Sequence, residues 1–140
     1  MQSTAEQPLI HVNVQCEYLD NQSAPDDAYY AFAYHIEISN RSEQTVQLLN
    51  RQWVIMDANG QVREIQGDGV IGEQPVIAPA HSHFYSSWSV IHTPVGCMQG
   101  KYGMRIIKKE KQKQKQKQND SVDFYAEIPV FTLAVPGALN

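Results

Sequence analysis

From Tyr30 to Ser39 the chain reads Tyr-Ala-Phe-Ala-Tyr-His-Ile-Glu-Ile-Ser, and this alternation limits the possible folds more than any other feature. Large apolar side chains at 30, 32, 34, 36 and 38 fall on one face of an extended chain, with small or polar ones on the other, the period of two that a half-buried strand requires. Ile10, Val12, Val14, Cys16 and Tyr18 repeat the pattern against His11, Asn13, Gln15 and Glu17. The polar stretch Asp20 to Asp27, with Pro25, connects the two segments, which read as neighbours.

The same period continues along the chain. Val46 and Leu48, then Trp53 and Ile55, lead to Asp57-Ala58-Asn59-Gly60, where Asn-Gly is expected to supply the positive φ angles of a hairpin turn, with Gln61 to Gln66 returning beside it. Prolines and glycines make Gly67 to Ala80 a loop. Phe84, Ser86, Trp88 and Val90 then alternate with Tyr85, Ser87 and Ser89, and a turn through Thr93-Pro94-Val95-Gly96 follows. Tyr102, Met104 and Ile106 form a further strand, and Val122, Phe124, Ala126 and Ile128 the last, with Pro129 predicting a bulge or a sheet edge before Phe131 and Leu133 resume. No segment carries a sustained helical period. About seven short strands with regular turn signals predict an all-β chain, a two-sheet β-sandwich of immunoglobulin or fibronectin type III character. Trp53, Trp88, Tyr30, Tyr34 and Phe124 are expected in its core and in cross-strand pairs.

Residues 1–140 are one domain's worth of chain, enough to bury a core without disulfide or metal. No apolar run suggests a secretion signal or a membrane span, so a cytoplasmic protein without membrane insertion is expected. Cys16 and Cys97 lack the paired spacing of a zinc or redox motif; buried reduced thiols are expected, with one long-range disulfide as the alternative.

The net charge of −4 conceals an asymmetry: Lys108 to Lys117 holds six Lys and one Glu, leaving five basic and fourteen acidic residues elsewhere. That acidic body repels phosphate backbones, which argues against nucleic-acid binding by the folded part. The Lys/Gln tract at about 108–120 has nothing to bury and is expected as a low-complexity hairpin tip; its lysines supply charge without specificity.

Gly67-Asp68-Gly69-Val70-Ile71-Gly72 spells the glycine spacing of dinucleotide-binding loops. Glu73-Gln74-Pro75 and Pro79 follow it where a helix should begin, and no βαβ unit surrounds it. A tight loop with special backbone angles is therefore expected, although successive N–H groups could still form an anion nest, assisted by Arg51 or Arg63. His81, His83 and His92 at a loop edge, and Asp26-Asp27 in a connection, are expected to be solvated rather than to hold a metal. Ser86, Ser87 and Ser89 with His92 and Asp57 provide the residue types of a hydrolase, but no nucleophile elbow surrounds any of the serines. No catalytic residue, cofactor or metal ligand is assigned.

Taken together, six blocks resemble the ApaG family: Gln22 to Pro25, Tyr30 to Asn40, Val46 to Gly60, Gly67 to Pro79, Thr93 to Met104 and Phe124 to Pro136. The resemblance covers nearly the whole chain. It implies a fibronectin type III-like sandwich, found as a free-standing bacterial protein and as an accessory domain of some eukaryotic F-box proteins. It also implies a link to cobalt resistance and magnesium efflux, and a gene neighbouring that of a diadenosine tetraphosphate hydrolase. No catalytic activity comes with it. The family's glycine loop maps onto Gly67, Gly69 and Gly72 with Gln74 and Pro75 behind it, and its Arg-x-Trp onto Arg51 and Trp53, so Gly67, Gly69, Gly72, Gln74 and Arg51 are the candidate ligand-binding residues. Ala80 stands where a glycine is usual, His81 and His83 where other polar residues are, and Trp88 also where glycine is common, while the Lys/Gln tract is an insertion.

Two functions follow as expectations. One is a non-catalytic module that binds a protein partner, or a second copy of itself, through a sheet face or edge. The other is a binder of pyrophosphate or a dinucleotide polyphosphate at residues 67–72.

Overall fold

The computed structural model describes residues 7–108 and 121–139; the expected Lys/Gln hairpin tip lies, apart from Lys108, outside the described residues. Eight strands run through them: β1 (Ile10–Tyr18), β2 (Tyr30–Asn40), β3 (Val46–Asp57), β4 (Val62–Asp68), β5 (Val76–Ile77), β6 (Ser82–Ile91), β7 (Val95–Ile106) and β8 (Phe124–Ala134). The only helical turns among these residues are two of 3-10 type, Asp20–Gln22 and Pro25–Asp27, both in the polar connection after β1. All pairings are antiparallel. One sheet has the order β1-β2-β6 and the other β4-β3-β7-β8, with β5 also on β3.

The inner faces of both sheets meet in one core. Phe32, Tyr34, Ile36 and Ile38 of β2 pack against Leu48, Trp53 and Ile55 of β3, Met98, Tyr102 and Met104 of β7, and Ile128 and Leu133 of β8. The alternation in residues 30–38 is thus the inner face of the central strand of its sheet, as its pattern requires. Asn40 ends that strand buried yet satisfied: Nδ2 donates to the carbonyls of Gln44 (2.7 Å) and Ile77 (2.9 Å), and Oδ1 accepts from the Ser42 amide and hydroxyl.

Two bulges change which residues face inward. In β3 the pairing with β7 steps from Leu48 opposite Met104 to Asn50 opposite Gly103, so Leu49 is an extra residue. The inward set therefore passes from the even Val46 and Leu48 to the odd Trp53 and Ile55. In β8, Pro129 and Val130 together oppose Gln99, which moves the inward set from Ile128 to Phe131 and Leu133. The bulge expected at Pro129 is present, on an edge strand where its missing N–H is harmless.

Three expectations are corrected. Trp88 is not in the core: β6 turns Tyr85 and Ile91 inward, so Phe84 and Trp88 stand 67% and 55% exposed on the outer face. Cys16 is exposed rather than buried, because it lies on an edge strand at the seam with β8, where its thiol donates to the Thr132 carbonyl at 3.1 Å; Cys97 is half-buried, and both thiols are free. At the Asn-Gly hairpin only Gly60 adopts positive φ (84°). The Gly60 amide bonds the Asp57 carbonyl, and the Asp57 carboxylate accepts from the amides of Asn59 (3.0 Å) and Gln61 (3.1 Å). This is a turn followed by one left-handed glycine, not a two-residue primed turn.

Candidate functional site

The Leu49 bulge builds the site. Its carbonyl accepts two hydrogen bonds from the glycine-loop region, from the Gly69 amide at 2.8 Å and from Gln74 Nε2 at 2.9 Å. The loop is thereby clamped to β3 at the point where the strand's parity changes. Two residues on, Arg51 shares the inward parity of Trp53 and Ile55, so a cation is carried into the space between the sheets.

Arg51 reaches over the loop. Its Nη1 donates to the carbonyls of Asp68 (3.1 Å) and Gly69 (2.9 Å), and its guanidinium lies above Gly67. The rest of the loop closes on itself: the Val70 amide bonds the Glu73 carbonyl at 2.8 Å and the Glu73 amide bonds the Val70 carbonyl at 3.0 Å. The two residues between them, Ile71 and Gly72, have φ of 47° and 77°. That is a primed two-residue turn, and a β-branched residue in its first position is strained. The amides of Gly69, Val70 and Glu73 are all engaged within the protein, so the loop offers no continuous run of N–H groups of the kind an anion nest uses.

A mouth of about 270 Å³ opens beside this loop between the sheets, lined by Arg51 and Trp53 from β3, Tyr34 from β2, Tyr85 and Ser87 from β6, and the loop itself. Tyr85 and the fully buried Tyr102 share a hydroxyl–hydroxyl bond of 2.5 Å. Burial holds both phenols well above the usual tyrosine value, and the Arg51 charge acts in the opposite direction. Tyr34 is also raised by burial, while contact with the Ser87 hydroxyl and the same arginine pull it back. Arg63 is not among the lining residues; from the other end of β4 it reaches the Val90 carbonyl of β6 at 2.5 Å, bridging the two sheets there.

Of the expected site residues, Arg51 and Gly72 line the mouth, Gly67 lies under the guanidinium and Gly69 contributes a carbonyl to it. Gln74 is absent from the lining and holds Leu49 instead. Tyr34, Tyr85 and Ser87 were not expected there; they come from the opposite sheet, and no local motif marks them.

The remaining candidates are dispersed. His81 Nδ1 lies 2.9 Å from the Pro79 carbonyl, and His92 Nδ1 3.0 Å from that of Ala28. Among the described residues no three His, Cys, Asp or Glu side chains gather into a metal-binding group. Ser86 meets neither His92 nor Asp57: its hydroxyl lies 2.6 Å from His35 Nδ1, whose Nε2 is 3.2 Å from Glu17. This string crosses the outer face of β6, β2 and β1, with the His35 and Glu17 side chains 47% and 62% exposed. In water such a pair does little to polarise a serine.

Residues 20–106 match the sequence profile of the ApaG domain. The chain belongs to the ApaG family. It is similar to the protein ApaG of Pseudomonas paraeruginosa, at 46% identity over 134 residues (96% of this chain and 97% of that one), and to the protein ApaG of Aromatoleum aromaticum, at 45% over 138 residues and 99% of each. Among solved structures it is similar to a Bordetella pertussis protein described as ApaA, with a TM-score of 0.80 and 30% identity over 96% of this chain and 99% of that one. A structural-genomics target gives a TM-score of 0.77 at 42% identity, covering 91% of this chain and 88% of the other. The ApaG relationship spans both sheets and the loop between β4 and β5, so the mouth lies within the shared part of the chain. No helix among the described residues is long and apolar enough to cross a membrane.

Proposed function

We propose that this ApaG-family chain is a non-catalytic protein-interaction module of the cytoplasm, and that its link to cobalt resistance and magnesium efflux runs through the partner it binds. The observation that carries this reading is the placement of Phe84 and Trp88, four residues apart on one face of β6 and 67% and 55% exposed. Among the described residues β6 ends its sheet, pairing only with β2. Large aromatics on an edge strand suit the addition of an extended partner segment, whose backbone pairs with the edge while its side chains pack on the rings. Beside Trp88 a shallow cleft lined by Leu19, Ala33 and Ser86 provides room for such a side chain. Trp88 stands where the family resemblance leads one to expect glycine, so this anchor belongs to this chain.

Purification of the tagged full-length chain from its native cells tests the reading, with wild type compared against the Phe84→Ser/Trp88→Ser double variant. A protein recovered with the wild type in stoichiometric amount and lost with the variant is expected. Recovery of the same proteins with both would contradict it, and self-association abolished by the variant would identify a second copy as the partner. A phosphate-containing small molecule is a second reading, favoured by the half-buried charge of Arg51 rather than by the loop amides.

A further inference from the structure

The inter-sheet mouth presents a concentration of hydrogen-bond donors. Arg51 uses only Nη1, on two carbonyls; its Nε and Nη2 have no protein partner among the described residues, and no carboxylate forms an ion pair with it. A cation taken partly out of water without a counter-charge is unfavourable unless an anion completes it.

The tyrosines add to this. Tyr102 is fully buried, and among the described residues its hydroxyl bonds only Tyr85. If Tyr85 were the donor, the Tyr102 proton would be stranded in the core, so Tyr102 donates and Tyr85 keeps a proton for the mouth. The Tyr34 and Ser87 hydroxyls meet in the same mouth, and because either can donate, a ligand that takes the Tyr34 proton leaves Ser87 to donate to Tyr34. Asp68 is the one carboxylate among the lining residues; it is exposed at the rim and makes no ion pair with the guanidinium.

We propose that the mouth is a binding site for a single oxyanion group, a phosphate monoester or a carboxylate, held by the free edge of Arg51 and the hydroxyls of Tyr34 and Tyr85. A planar guanidinium edge matches two oxygens of either group, and two phenols supply donors to the others. A space of about 270 Å³ accepts such a group with a few attached atoms and excludes a dinucleotide. The site rests on the phosphate reading of this region only for the sign of its ligand, and it is independent of the outer face of β6.

The test is a titration of the full-length chain with inorganic phosphate, acetate and pyrophosphate, following backbone amides and the Arg51 Nε–H by NMR. Saturable shifts of Arg51 Nε–H together with the Tyr85 and Ser87 amides are expected with phosphate or acetate. The anion that saturates first tells a phosphate ester from a carboxylate side chain as the source. Ser87→Asp places an internal carboxylate in the mouth and is expected to abolish these shifts while raising the melting temperature. Arg51→Lys keeps the charge and the loop contact but loses the second donor edge, and is expected to weaken binding about tenfold. No saturable shift at about 10 mM of either anion, or equal shifts in wild type and Ser87→Asp, would overturn the site. Shifts confined to amides 67–73 with the Arg51 side chain silent would also overturn it, while leaving the loop itself as a pyrophosphate binder.

Discussion

The guanidinium of Arg51 fills the space above Gly67, so that a Cβ added at residue 67 would stand 2.7 Å from its Nη1. The obstructing atoms are the far end of a flexible side chain, so Gly67→Ala should displace the arginine rather than the backbone. The expected result is a stability change below about 1 kcal/mol with a clear loss of phosphate-induced shifts at Arg51, measured by urea unfolding and by titration. An unchanged titration would show that the guanidinium does not depend on this glycine.

The other two glycines of the motif should separate from each other. Gly69 has φ of 61°, and a Cβ there would run into the backbone carbonyl of Glu73, whereas Gly72 has φ of 77° and open space around it. Gly69→Ala should therefore cost more than about 2 kcal/mol and Gly72→Ala about 1 kcal/mol, read from urea midpoints. Equal costs would mean that the clash is relieved by movement of the loop.

Ala80 has φ of 67°, in the left-handed region where glycine is favoured, and it stands where the family resemblance leads one to expect glycine. Ala80→Gly should raise stability by up to about 1 kcal/mol, a gain partly offset by the greater freedom of glycine in the unfolded chain. A fall in melting temperature would contradict this.

How much of this was legible beforehand depends on the element. β2 could be read directly, because a central strand with one buried face leaves a clean alternation. The shift of the inward set at Pro129 was legible because proline marks its own bulge. The pattern of β6 is ambiguous because aromatic side chains occupy both of its faces: Phe84 and Trp88 compete with Tyr85, and the partnership of Tyr85 with buried Tyr102 decides which face turns in. At the site, the glycine spacing and Arg51 stood out, but their relation did not. It depends on an unmarked bulge at Leu49 and on Tyr34, Tyr85 and Ser87, brought in from the other sheet.

Tyr34, Tyr85 and Tyr102 resist ionisation in the folded chain, chiefly through burial. Unfolded, each would ionise near its ordinary value of about 10. Above that pH the unfolded state holds fewer protons than the native one, so this stability is intact below about pH 10 and declines as pH rises beyond it. The slope is about 1.4 kcal/mol per pH unit for each phenol still protonated. Urea unfolding across this range should show the decline, and the Tyr85→Phe/Tyr102→Phe double variant should show a shallower one. Identical slopes would place the titrating groups elsewhere.

The measurement that bears most directly on the interaction reading is site-specific photo-cross-linking in native cells, with the probe at residue 84 or 88 and a control at residue 101 on the other sheet. One protein cross-linked reproducibly from 84 and 88 but not from 101 is the predicted result. Cross-links that are absent from 84 and 88, or that are the same from all three positions, would contradict a binding face on β6.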